Sequence, residues 1–319
     1  MNSPRKMLLI FGLLVSGAWN AHRAVAAQSD RPVALNPAEQ QGTPAQQRIE
    51  AARLQLKADP KKVQAYGELA LAFLRRARET ADKTYLNAAD DALAQGLKLD
   101  SADFQLQRTQ VALMLSRHQF VEARDRAKVL NHRTPDDAMT YGYIAEADIA
   151  LGNYSEAEAN AQWMMNLRPN NTPALMVGAK LRVLFGDNHG AIDFLNRAAA
   201  QTSPTEVEEQ AWIANNIASI LIDSGQTESA AQTLQQATQL FPNYPYTLEN
   251  LARVCRAQNR PVDAVQLLLQ ATTLDRDPQV LYQLAAAQQA AGHAPQARAT
   301  LLEFEKLAND CLLYTSRCV

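Results

Sequence analysis

The stretch YGYIAEADIALGNYSEAEANAQWMMNLRPNN, residues 141–171, decides the fold of this chain. Apolar and small residues recur every three or four positions on both sides of Gly152, and the stretch closes shortly after Pro169. That spacing is typical of amphipathic helices. Because glycine accepts the positive φ that ends a helix and proline does not continue one, the stretch predicts two helices joined by a tight turn.

The same pattern recurs along the chain at a nearly constant interval. A turn segment, often begun by glycine, is followed five positions later by an alanine, and these alanines are Ala89, Ala123, Ala157, Ala191, Ala230, Ala264 and Ala297. The intervals between them are 34, 34, 34, 39, 34 and 33 residues. A period of this length indicates stacked structural repeats, in which small residues let paired helices approach closely.

These residues make the chain resemble the tetratricopeptide repeat family. The stretch quoted above has a large–small pair at Ile144 and Ala145, a glycine at the turn, small residues at Ala157 and Ala161, and a closing proline. The resemblance covers about residues 63–310 and implies an all-α fold, a right-handed α-solenoid. It implies about seven helix–turn–helix units, near 63–103, 104–137, 138–171, 172–205, 211–244, 245–277 and 278–310.

Two segments depart from the period. The first unit carries about seven extra residues around RRARETADKT, residues 75–84, which predict a lengthened helix pair or a loop. The fourth unit is followed by a five-residue insertion, EVEEQ, at residues 206–210. We expect both segments to change the local twist of the superhelix without breaking it.

Residues 1–27 predict a secretory signal peptide. Arg5 and Lys6 precede an apolar run, and small residues follow it, with cleavage expected near Ala26 or Ala27. The run is shorter than the roughly 20 residues of a membrane-spanning helix. We therefore expect a periplasmic or secreted protein, with membrane attachment only if the leader stays uncleaved.

The segments on either side of the repeats carry different signals. Residues 28–45 lack apolar periodicity and predict a disordered linker before a solenoid at 46–310. The last nine residues, CLLYTSRCV at 311–319, resemble the translation of a transposon end used to prepare sequencing libraries, followed by its inverted copy. We expect 311–319 to be a non-native artefact, which leaves Cys255 as the only native cysteine in the sequence.

The composition argues against several classes of function. The 31 basic and 33 acidic residues give a formal net charge of -2, and without a basic block we expect no nucleic acid partner. The histidines after the leader lie far apart, and no phosphate-binding loop or nucleophile motif is present. We therefore predict no enzyme, no metal and no cofactor, and Cys255 is expected to be a buried thiol.

The concave groove of the predicted solenoid is the remaining place for function, because the first helix of each unit lines it. Asparagine amides there can pair with an extended peptide backbone, and Lys or Arg can bind a carboxylate. The candidate residues are Met176 and Lys180 in the fourth unit, Trp212, Asn215 and Asn216 in the fifth, and Tyr246, Asn250, Arg253 and Arg256 in the sixth, with Ser219 and Glu249 on the same stripes. The set is similar in kind, but not in position, to the carboxylate clamp of some family members, since Ala112 stands where an asparagine is expected.

A second candidate surface consists of Trp163, Met164 and Met165 in the second helix of the third unit. These side chains either reach the convex face, as a partner or dimer contact, or pack against the next unit, and packing is favoured. If these side chains reach the convex face, they could also form the contact of a homo-oligomer.

These observations predict a non-catalytic exported scaffold that binds a protein or peptide in the concave groove. The alternative is a substrate-presenting repeat region of a longer protein whose C-terminal catalytic domain is missing from this sequence. A third reading is an assembly factor held at the membrane by its uncleaved leader.

Overall fold

The computed structural model describes the backbone of residues 42–317 and the side chains of residues 42–309. The predicted signal peptide and most of the predicted linker lie outside the described residues. From Thr43 onward the described residues belong to one compact unit.

The described residues form fifteen α-helices and no strand. In chain order they are α1 Pro44–Ala58, α2 Val63–Thr80, α3 Thr84–Leu99, α4 Phe104–Ser116, α5 Phe120–Arg133, α6 Ala138–Leu151, α7 Tyr154–Leu167, α8 Thr172–Leu184, α9 Asn188–Gln201, α10 Val207–Asp223, α11 Thr227–Leu240, α12 Pro245–Ala257, α13 Pro261–Leu274, α14 Pro278–Ala290 and α15 Ala294–Arg317. Each helix packs on the next, and four pairs of neighbouring first helices also touch, namely α2 with α4, α4 with α6, α6 with α8, and α10 with α12. The predicted all-α solenoid of helix–turn–helix repeats is confirmed.

The helix pairs are joined by turns that use a positive φ. Gly152, Gly186, Gly225 and Gly292 have φ values between 75° and 80°. In each of these turns the amide after the glycine donates to a carbonyl five residues back, as Asn153 N does to Asp148 O at 2.8 Å. This is the hydrogen bond that caps a helix C-terminus when a left-handed residue follows it. The tight turn predicted at Gly152 is confirmed, and the other three glycines form the same turn.

Small residues occupy the places where the helices cross. All seven alanines of the repeat pattern are fully buried, with relative exposures of 0% or 1%. Leu234 and Leu268 are large side chains of second helices and are fully buried. Leu301 of α15 is 37% exposed, because no described helix packs on the outer side of α15.

The two segments that break the period lengthen first helices. α2 has 18 residues and α10 has 17, whereas the other first helices from α4 to α14 have 13 or 14. Residues 75–80 extend the C-terminal end of α2, and the EVEEQ segment forms the start of α10.

The first helix begins slightly earlier than predicted. α1 starts at Pro44, inside the predicted linker 28–45 and two residues before the expected start of the solenoid at Gln46. The reason is a capping box, in which the Thr43 side chain accepts from the Gln46 amide while the Gln46 side chain accepts from the Thr43 amide. Pro44 suits the first helical position because its missing amide has no partner there.

The turn geometry generates a stability prediction at Gly152. Replacing Gly152 by alanine forces a Cβ into the left-handed region, although nothing lies within 4 Å of that Cβ. We expect a loss of about 1 kcal/mol in the free energy of unfolding, measured by urea denaturation. Gly152→Asn should lose less, since asparagine tolerates this conformation. Equal losses for the two variants would contradict a backbone origin.

Candidate functional site

A cavity of about 510 Å³ lies along the first helices of the last three repeat pairs. Its wall is formed by one side of α10, α12 and α14. The lining residues are Trp212, Asn215, Asn216 and Ser219 from α10, Tyr246, Glu249, Asn250, Arg253 and Arg256 from α12, and Gln279 and Gln283 from α14. We call this feature the α10–α14 cavity.

The structure brings seven of the nine predicted groove residues to this cavity and leaves two outside it. Met176 is half-buried against the hydrophobic cluster around Leu175 and Leu195. Lys180 is exposed, and its ammonium pairs with the Glu146 carboxylate at 3.0 Å. Both residues lie on α8, whose side chains do not line the cavity.

Two lining residues, Gln279 and Gln283, were missed by the sequence reasoning. The 33-residue spacing of the repeat could have predicted both residues. Gln279 follows Tyr246 by 33 residues, and Gln283 follows Asn250 by the same interval, so each occupies the equivalent position in the next unit.

The asparagines of the wall are already hydrogen-bonded within the protein. Asn215 is only 3% exposed, and its amide donates to Ala211 O at 2.9 Å and to Thr247 Oγ1 at 2.7 Å. Asn250 in turn donates to Asn215 Oδ1 at 3.0 Å. Asn216 donates to Trp212 O at 2.8 Å. These amides therefore order the wall, and the Asn215 amide already donates twice within the protein.

The two arginines of the wall differ in what they contact. Arg253 donates to Ser219 Oγ and to Asn250 Oδ1, both at 2.9 Å, and pairs with Asp223 at 2.6 Å. The Arg256 side chain is exposed and makes no ion pair or hydrogen bond with any described residue. Of the two guanidinium groups, Arg256 is the one open to an anionic ligand.

Aromatic rings form the apolar part of the wall. Trp212 and Tyr246 meet edge to face with their ring centroids 5.0 Å apart, and Tyr244 continues the row at 5.2 Å from Tyr246. Edge-to-face contacts are a favoured arrangement of aromatic rings. Burial raises the pKa of Tyr246 to about 12, so its hydroxyl stays protonated at neutral pH.

Glu249 is the titratable acid of the cavity. Burial, reinforced by the nearby Asp275 carboxylate, raises its pKa to about 7. Gln283 Nε2 donates to Glu249 Oε2 at 3.2 Å. Near neutral pH this carboxyl is therefore divided between its protonated and ionised forms.

The other sequence candidates have distinct surroundings. Met164 is fully buried, and its side chain lies against Gly142 of α6, within its own helix pair rather than against the next unit. Trp163 is 55% exposed and stacks on Tyr141 with ring centroids 6.1 Å apart. Cys255 is buried as expected, and burial raises the pKa of its thiol.

Within residues 42–309 no group of three metal-ligating side chains occurs, and no described helix is long and apolar enough to cross a membrane.

The stacked helix pairs, with a polar and aromatic cavity on three of the first helices, define an all-α helical repeat protein. Residues 221–282 match the model of the tetratricopeptide repeat family. The chain therefore contains a segment similar to tetratricopeptide repeats, and the same helix-pair pattern continues on both sides of that segment.

Solved structures share this fold at low sequence identity. The chain is similar to the APC/C hetero-tetramer Cut9-Hcn1, with a TM-score of 0.64 and 15% identity over 80% of this chain, but it spans only 47% of that one. It is also similar to PilW, a type IV pilus biogenesis factor, with a TM-score of 0.53 and 15% identity over 64% of this chain and 92% of that one. A tetratricopeptide repeat protein from Parabacteroides merdae aligns with a TM-score of 0.55 and 13% identity, over 75% of this chain and 91% of that one. No curated protein sequence matches the chain.

The pKa of Glu249 predicts a pH dependence of stability. An acid whose pKa is raised in the folded state binds more protons there than in the unfolded chain, so stability falls as the pH rises from about 4.5 to 7. In the unaltered protein this effect lowers the free energy of unfolding by roughly 1–3 kcal/mol between these pH values, and Glu249→Gln should not show that loss. The measurement is urea denaturation at several pH values, with exposed Glu228→Gln as the control. An unchanged slope in Glu249→Gln would contradict the assignment.

Proposed function

We propose that this protein is an exported, non-catalytic scaffold that binds a segment of a partner protein in the α10–α14 cavity. Tetratricopeptide repeat proteins generally mediate contacts between proteins, and their repeats are generally not catalytic. The observation that carries the proposal is the cavity itself. Its volume of about 510 Å³ lies within the range of about 300–1,000 Å³ that ligand pockets occupy.

The side chains of the cavity suggest what kind of segment it takes. The rings of Trp212 and Tyr246 offer an apolar surface to one ligand side chain. Arg256 offers a guanidinium without a partner among the described residues, which suits a carboxylate. Gln279 of α14 adds a side-chain amide to the lining, which can bond to a peptide backbone. The favoured ligand is therefore an extended segment with an apolar side chain close to an acidic one.

A selected peptide tests this site directly. Random peptides displayed on phage are selected on the purified protein, and the affinity of the best sequences is measured by fluorescence anisotropy. We expect Arg256→Glu to weaken binding by tenfold or more, since truncating a charged contact at the centre of an interface costs about 2 kcal/mol or more. The matched control is Arg298→Glu, another exposed arginine that does not line the cavity.

Comparing Arg256→Glu with Arg298→Glu shows which results would contradict binding in the cavity. If Arg256→Glu and Arg298→Glu bind the selected peptides as the unaltered protein does, the cavity is not the binding site. If both variants lose affinity equally, the effect is one of net charge rather than of a local contact.

The exported location is a separate part of the proposal. It is supported by the basic start, apolar run and small residues of the leader at 1–27. We expect protein recovered from the envelope fraction of a bacterial host to begin at Ala27 or Gln28 when its N-terminus is sequenced. An intact Met1 on membrane-bound protein would favour attachment through the leader instead.

A further inference from the structure

The two segments that break the repeat period meet each other in the folded chain. Arg75 donates to Glu206 at 2.5 Å and to Glu209 at 2.7 Å, and Arg48 of α1 also pairs with Glu206. The basic partners lie on α1 and α2, whereas the acidic ones lie at the start of α10. These residues are 131 to 158 positions apart in the sequence.

The best-ordered contact is the pair of Arg78 with Glu208. Arg78 Nε and Nη2 each donate to one carboxylate oxygen of Glu208 at 2.7 Å. The Tyr244 hydroxyl donates to the same carboxylate at 2.6 Å. The Glu208 side chain is only 3% exposed, whereas Arg78 is 32% exposed, so the carboxylate is buried and the guanidinium remains accessible to salt. Burial by itself would lower the pKa of Arg78. The Glu208 carboxylate outweighs this effect, so the pKa is raised overall and the guanidinium stays charged.

Helix ends add to the attraction between the two segments. Glu208 and Glu209 occupy the first turn of α10, and Arg78 occupies the last turn of α2. Carboxylates are stabilised at a helix N-terminus and cations at a C-terminus. Each charge therefore suits its own helix as well as its partner on the other helix.

The contacts run along the edge of the α10–α14 cavity. The Arg78 guanidinium lies over the Trp212 ring, 5.4 Å from its centroid, and Trp212 lines the cavity. Further along, Lys83 pairs with Asp277 at 2.7 Å. Asp277 caps α14, which supplies Gln279 to the cavity. Residues 78–83 thus link the starts of α10 and α14 on either side of the site.

We propose that these ion pairs form an ionic latch, in which the two period-breaking segments hold α1 and α2 against the start of α10 and cover the Trp212 edge of the α10–α14 cavity. Screening or reversing the charges releases α2 from α10. The effect on ligand access rests on the proposed function, whereas the latch itself is testable without any ligand.

The latch is tested by measuring the distance across it. Spin labels are attached at Thr84→Cys and Thr205→Cys, two exposed positions beside the contacts, in a full-length chain whose Cys255, Cys311 and Cys318 are replaced by alanine. At low salt we expect one narrow distance distribution. In roughly 1 M salt, where the screening length is about 3 Å, the distribution should broaden and shift to longer distances.

Charge variants separate the latch from general effects of salt. Arg75→Glu reverses a side chain that is 25% exposed, so the fold should survive, and we expect it to open the latch at low salt. Adding Glu209→Arg to that variant should restore part of the short distance. Arg126→Glu, on the exposed side of α5, should leave the distance unchanged. Circular dichroism verifies that each variant is helical.

Two results would overturn the proposal. One is an unchanged distance in Arg75→Glu and at high salt while the chain remains helical. The other is an equal opening in Arg126→Glu, because the response would then not be specific to the paired segments. Peptide affinity is measured separately in the same variants, and an open latch with unchanged affinity would remove its role in ligand access.

Discussion

The close approach of paired helices at small residues is the constraint on which this structure depends. At each crossing an alanine with almost no exposed surface lets two backbones meet, as at Ala157, Ala191 and Ala230. Protein interiors are packed at crystal-like density, so a larger side chain would have to displace a whole helix. Because the crossings recur at almost one interval, each pair stacks on its neighbour in nearly the same orientation.

That regular stacking also produces the wall of the cavity. Equivalent positions of successive first helices come side by side, so Trp212, Tyr246 and Gln279 form one row, and Asn216, Asn250 and Gln283 form another. Hydrogen bonds along the wall then fix its polar side chains, as between Asn250 and Asn215. A ligand at this place would meet a surface whose rotamers are already ordered, which lowers the entropic cost of binding.

Local patterns were sufficient to predict the fold and much of the cavity wall, whereas contacts made over long distances were not. Gly152 and the buried alanines are set by turn and crossing geometry within one unit, and seven of the candidate residues follow from the side of the helix on which they lie. Whether an amide such as Asn215 is free or already bonded depends on Thr247, a residue of the next unit. The pairing of Arg78 with Glu208 depends on the relative orientations of all the helices that lie between them in the chain, because small rotations add up along the solenoid.

Hydrogen–deuterium exchange with and without a selected peptide tests the central claim most directly, because it maps a binding site without altering any residue. If the α10–α14 cavity holds the peptide, exchange slows in α10, α12 and α14, which form the cavity. Slower exchange confined to α7, which carries the exposed Trp163, or to α1 and α2, where a second cavity of about 500 Å³ lies, would contradict binding in the α10–α14 cavity.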